Sequence, residues 1–158
     1  MTAARTRAAW SRGQTGVEFA WVATAFLLFI AGVMMMGEAV MAYNSMSAAA
    51  EEAVRYAVAN GPNSINPASL ASIQQIAVNT SPQLHLTQTT YDSNGNILTT
   101  GNVTASWVTD PNMASGSGWK DALVVITYNY SLKIPFMSAI TLHLTATSQM
   151  MESQGPTT

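Results

Sequence analysis

Cysteine is absent from the 158 residues. A disulfide framework and a thiolate metal site are therefore excluded, and the redox character of the compartment is left open. Charge is scarce as well: six basic and eight acidic residues make up 9% of the chain and leave a net charge of -2. No basic stripe is available to neutralise phosphates, so nucleic-acid binding is set aside. Histidine occurs twice, at His85 and His143, and no Asp, Glu or Ser pattern around either matches a triad or a metal-ligand spacing. Gly116-Ser117-Gly118 lacks the lysine and the helix of a phosphate-binding loop and reads as a turn. The sequence offers no catalytic, cofactor or metal site, and a non-enzymatic protein is expected.

What charge there is lies unevenly. Arg5, Arg7 and Arg12 precede a strongly apolar stretch with no acid among them, and only Arg55, Lys120 and Lys133 follow it. The stretch itself, Phe19 to Gly37, holds 19 residues and no charge. As a helix at about 1.5 Å per residue it covers roughly 28 Å, close to the hydrocarbon thickness of a bilayer. Eight of its residues are Phe, Val, Leu or Ile, worth roughly −2 to −5 kcal/mol together on insertion. The upstream arginines place the N-terminus in the cytoplasm and the remainder of the chain outside it. A cleaved signal peptide ending at Val40-Met41-Ala42 is the alternative, with a mature start at Tyr43. The apolar run exceeds the usual length of a signal-peptide core, and the helical pattern continues through that cut. Met34, Met35 and Met36 read as adaptable packing side chains, not metal ligands.

Glu18 stands at the threshold of this run, in the order Gly13, Gln14, Thr15, Gly16, Val17, Glu18, Phe19. A carboxylate at that depth is costly unless paired. A basic leader, a glycine, and five residues later a glutamate opening an apolar helix resemble the processing site of type IV prepilins. Together with the Ala-rich helix through Arg55 and the stretch from Asp121 to Met150, the pattern is similar to TadE-like minor pseudopilins of tight-adherence (Flp) pilus systems. The likeness covers most of the chain. It implies that prepilin peptidase cleaves after Gly13, that Gln14 becomes the N-terminus, and that Glu18, followed by Phe19, is the acid at the fifth mature position. It also implies a pilin-like fold and a place in pilus or secretion-apparatus assembly. The implied partners are pilins, other pseudopilins and the inner-membrane assembly platform. An unprocessed, membrane-anchored binding module is the alternative function.

Past Gly37 the helical pattern runs on through Glu38, Val40, Tyr43, Met46, Ala50, Val54 and Ala57, one apolar stripe at spacings of three and four. Glu51 and Arg55 are four apart in the favourable order, and Asn60-Gly61-Pro62 supplies a stop. A single helix from Gly16 to Ala59 would measure roughly 65 Å, unless it hinges at Gly32 or Gly37.

Beyond the stop, Asn66-Pro67 reads as the start of a short helix carrying Leu70, Ile73 and Ala77 and ending near Asn79. Leu84 to Tyr91 and Ile97 to Thr100 read as a hairpin around Asn94-Gly95. Asn102 to Val108 is a further strand, and Asp110 to Gly118 an irregular loop. Ala122 to Ile134 alternates clearly, with Val124, Ile126, Tyr128, Tyr130 and Leu132 on one face. Pro135 ends or bends that strand, and Ile140 to Ser148 pairs antiparallel with it. The expected fold is α+β: a long N-terminal helix, transmembrane in its first half, packed on a small antiparallel sheet. The expected divisions are a basic leader over 1–13, a transmembrane and extended helix over 14–60, an extracytoplasmic domain over 61–151, and a loose tail over 152–158.

Overall fold

The computed structural model describes residues 3–62, 64–92, 96–109, 120–133 and 138–151, with side chains from Gln14 onward. The Asn94-Gly95 turn, the 110–118 loop, Pro135 and the 152–158 tail lie outside the described residues. The elements in chain order are α1 (Ala3–Ala59), α2 (Leu70–Thr80), a 3-10 turn (Pro82–Leu84), β1 (Thr90–Tyr91), β2 (Ile97–Thr99), β3 (Val103–Thr109), β4 (Lys120–Leu132) and β5 (Ile140–Met151).

α1 is one continuous α-helix of 57 residues, running without interruption through Gly32 and Gly37. It begins well before the expected Gly16, because the leader itself is helical from Ala3. Proline is absent until Pro62, and the Ala-rich sequence loses little side-chain freedom on forming a helix. At its end the Asn60 amide donates to the Tyr56 carbonyl at 3.1 Å. Glu51 and Arg55 meet at 3.6 Å on the exposed face, as their spacing predicts, and Glu52 lies 3.9 Å from the same guanidinium.

The chain divides into two compact units. One comprises residues 1–38 with 131–140, and the other residues 39–130 with 141–158. The hydrophobic core belongs to the second. There the C-terminal part of α1 contributes Ala42, Met46, Ala49, Ala50, Ala53, Val54 and Ala57. They pack with Ile73 and Ala77 of α2, Val103 and Ala105 of β3, Ala122, Val124 and Ile126 of β4, and Ala146 of β5. The expected stripe is corrected at its beginning, since Val40 and Tyr43 are exposed while Ala39 and Ala42 are buried. Alanine dominates the face that α1 turns to the core, with Met46 and Val54 as its larger members.

β3, β4 and β5 form a three-stranded sheet in that order, with β3 and β4 antiparallel from Val103↔Ile126 to Thr109↔Lys120. Contacts between β4 and β5 also run in opposite directions: His143 Nδ1 lies 2.7 Å from Asn129 Oδ1, and Gln149 donates to Asp121 at 2.6 Å. The alternation read from β4 holds, with Val124, Ile126 and Leu132 buried and Thr127 and Asn129 exposed. β1 and β2 pair separately as a two-stranded antiparallel ribbon.

Two expectations fail. The strand expected over Leu84 to Tyr91 shrinks to Thr90–Tyr91. Pro82 opens a 3-10 turn and His85 adopts a left-handed conformation, φ 48°, its amide bonding back to the Pro82 carbonyl at 3.3 Å. Pro82 sets the turn's φ, and the left-handed His85 takes the chain out of extended backbone. Leu84 and Leu86 still point into the core. The cap of α2 is Ser69, not Asn66: its backbone is extended and its hydroxyl accepts from the Ser72 amide at 3.1 Å. Gly101 is required as glycine, because a Cβ there would collide with the backbone of Gln88, which bridges to Val103.

Candidate assembly site on the N-terminal helix

Gln14 to Gly37 contains a single ionisable side chain, Glu18. The helix places Gln14 one turn before it, and the Gln14 side-chain amide donates to Glu18 Oε1 at 3.3 Å. Both side chains are exposed. Phe19 is 73% exposed and Trp21 76%, and the apolar side chains from Val22 to Met36 are largely open too. Thr24, the polar exception in the run, satisfies its own hydroxyl by donating to the Ala20 carbonyl at 2.7 Å. On the same stretch of helix a shallow apolar groove of about 320 Å³ is lined by Val17, Ala20, Trp21 and Thr24, the first of them next to Glu18 in sequence. A carboxylate thus borders a surface suited to lipid or to another apolar helix. Gly13 lies within α1, immediately before Gln14.

Among the described residues of the second unit no comparable gathering of groups occurs. Its grooves, lined for example by Val78, Asn79, Pro82, His85 and Leu86, or by Leu70, Gln88, Tyr91 and Asp92, bring together no acid–base pair. Among the described residues no three His, Cys, Asp or Glu side chains are placed to hold a metal ion. His85 and His143 are both exposed. Two buried polar side chains gave no signal in the sequence. Asp121 accepts from Gln149 through one oxygen and has no hydrogen-bond partner for the other. Gln74 is fully buried with neither amide atom in a hydrogen bond of ordinary geometry. Beside it, burial raises the Tyr91 phenol above its usual 10.0, while the Gln74 amide acts in the opposite direction. The Tyr91 hydroxyl donates to the Ala105 carbonyl at 3.3 Å.

α1 is long and apolar enough to cross a membrane, and none of its most apolar window is buried in the chain itself. With the core built on its C-terminal part, this defines an α+β protein on an N-terminal helix of membrane-spanning length and apolarity. The family model described as TadE-like protein matches residues 13–55, so this stretch, from Gly13 through the Ala-rich helix to Arg55, is TadE-like. That family is a structural one associated with Tad pili, not known for catalysis. No curated protein and no solved structure matches the chain.

Proposed function

We propose that the protein is a minor pseudopilin that takes part in assembling a tight-adherence pilus or a related secretion apparatus. The carrying observation is Glu18, the one charge of the apolar helix, exposed where apolar surface surrounds it. Cleavage by prepilin peptidase after Gly13 creates an α-amine at Gln14, a cation one helical turn from that anion. Within one chain the pair is loose and solvated. Between staggered subunits in a low-dielectric filament core, the amine of one chain neutralises Glu18 of its neighbour and sets the axial register. Phe19 and the exposed apolar residues after it pack against neighbouring helices.

The family match supports this reading because it begins at Gly13 and contains Gln14, Glu18 and Phe19. Gly13 also suits a processing site. It is about 1 kcal/mol poorer than alanine in a helix interior, so the chain unwinds more readily at the bond to be cut. The upstream arginines hold the leader on the cytoplasmic side, which leaves the α+β unit outside, single-pass and attached to the inner membrane. The partners are pilins and other pseudopilins, prepilin peptidase during maturation, and the inner-membrane assembly platform.

Glu18→Ala tests the proposal in cells that make the pilus. Loss of assembly with the protein still present in the membrane is expected. Unchanged processing, localisation and assembly would remove the basis for the filament role and favour an unprocessed membrane-anchored binding module.

A further inference from the structure

The end of the β4–β5 pair lies with the apolar half of α1: residues 131–140 form one compact unit with residues 1–38. Leu132, the last residue of β4, is buried, at 8% exposure. It lines an apolar groove of about 380 Å³ together with Phe29, Gly32, Val33 and Met36. The span read from the sequence ends at Gly37. At about 1.5 Å per residue, Met36 therefore lies roughly 1.5 Å inside the hydrocarbon boundary and Phe29 about 12 Å inside it. A side chain seated between them sits within the outer leaflet or at its border.

The residues that follow Leu132 suit that position. Lys133 is exposed, and so are Ser138, Ala139 and Ile140 after it. Lys133 is the only Asp, Glu, Lys or Arg between Ser131 and Met151. A lysine beside a buried leucine can lay its stem along apolar surface and hold its ammonium at the phosphate level of the headgroups. Gly32 leaves the groove open, since a Cβ there would meet nothing.

We propose that the Leu132–Lys133 end of the sheet is a second membrane contact, in which Leu132 enters the outer leaflet beside α1 and Lys133 binds lipid phosphate. The occupant of the groove is bilayer lipid, because the groove is continuous with the surface of the spanning helix and the adjoining charge is positive. The proposal rests on α1 spanning the bilayer.

The chain has no cysteine, so single-cysteine variants of the full-length protein report one position each. Ser138→Cys, Ile30→Cys as the membrane reference and Thr99→Cys as the aqueous reference are labelled with an environment-sensitive nitrobenzoxadiazole dye. The proteins are reconstituted into phosphatidylglycerol–phosphatidylcholine vesicles with and without acyl-chain doxyl quencher. The position-138 label is expected to be blue-shifted and quenched to an extent comparable with position 30, and Lys133→Glu should weaken that quenching. A position-138 label that behaves as position 99 does, with position 30 quenched, overturns the second contact and leaves the spanning helix intact. Failure of position 30 to be quenched overturns the membrane reading and the proposal with it. Protection of position 138 that follows protein density in the vesicles and ignores the quencher identifies a neighbouring chain in the groove, and also overturns it.

Discussion

Ser81 donates its hydroxyl to the backbone carbonyl of Ser45, 36 residues earlier in the chain, at 2.8 Å. Gln83 adds a bond from its side-chain amide to the Ser45 hydroxyl at 3.0 Å. The turn that follows α2 is in this way tied to α1, and its Leu84 and Leu86 belong to the same core as Met46 and Ala49. Ser81 is almost fully buried. The Ser45 carbonyl also belongs to the ladder of α1, so removing the hydroxyl costs one hydrogen bond and does not orphan an acceptor. Ser81→Ala should destabilise the α+β unit by about 1 kcal/mol, read as a lowered denaturant midpoint for the full-length protein in detergent.

Ala53 is fully buried in the face that α1 turns to the sheet, whereas Ala48 is exposed. Ala53→Leu adds volume where the helix approaches its partners closely and should cost about 1–3 kcal/mol. Ala48→Leu, chemically the same change on the opposite face, should stay within about 0.5 kcal/mol of the parent. Equal effects at the two positions would contradict the observed packing of α1.

Tyr91 carries a phenol whose pKa burial holds above the usual value of 10.0. A raised folded-state pKa means that the folded protein keeps the proton longer than the unfolded chain. The stabilisation is fully present below pH 10 and is lost as pH rises through the folded value. Above pH 10 the parent should therefore lose stability more steeply than Tyr91→Phe, which has no proton to release. Denaturation series at pH 8 and pH 11 on both proteins provide the comparison.

α1 could be read from the sequence because nothing in it interrupts a helix and its stretch from Gln14 to Gly37 contains one charge. β4 could be read because its alternation persists over the whole strand, from Ala122 to Leu132. Alanine misled the reading of the middle of α1: it is nearly neutral in an apolar pattern, so Val40 and Tyr43 stood out. Close packing instead selected Ala39 and Ala42. The false strand had a similar origin. Leu84 and Leu86 alternate as strand residues do and are buried accordingly, but Pro82 and the left-handed His85 present them from a turn. Glu18, Gln14 and Phe19 were legible as a group because a charge at the edge of a membrane-length run is rare. Leu132 was read only as a core position of β4. Its place beside Phe29 and Met36 depends on a long-range return of the chain that no local pattern encodes. The burial of Gln74 and Asp121 is likewise set by tertiary packing.

The measurement that bears most directly on the pseudopilin reading is the N-terminal sequence of the protein purified from its native membrane. A start at Gln14 is the expected result, and it identifies cleavage after Gly13 with the leader removed and the apolar helix retained. A start at Met1 or Thr2 would contradict prepilin-type processing, and one at Tyr43 would contradict a membrane helix in the mature protein.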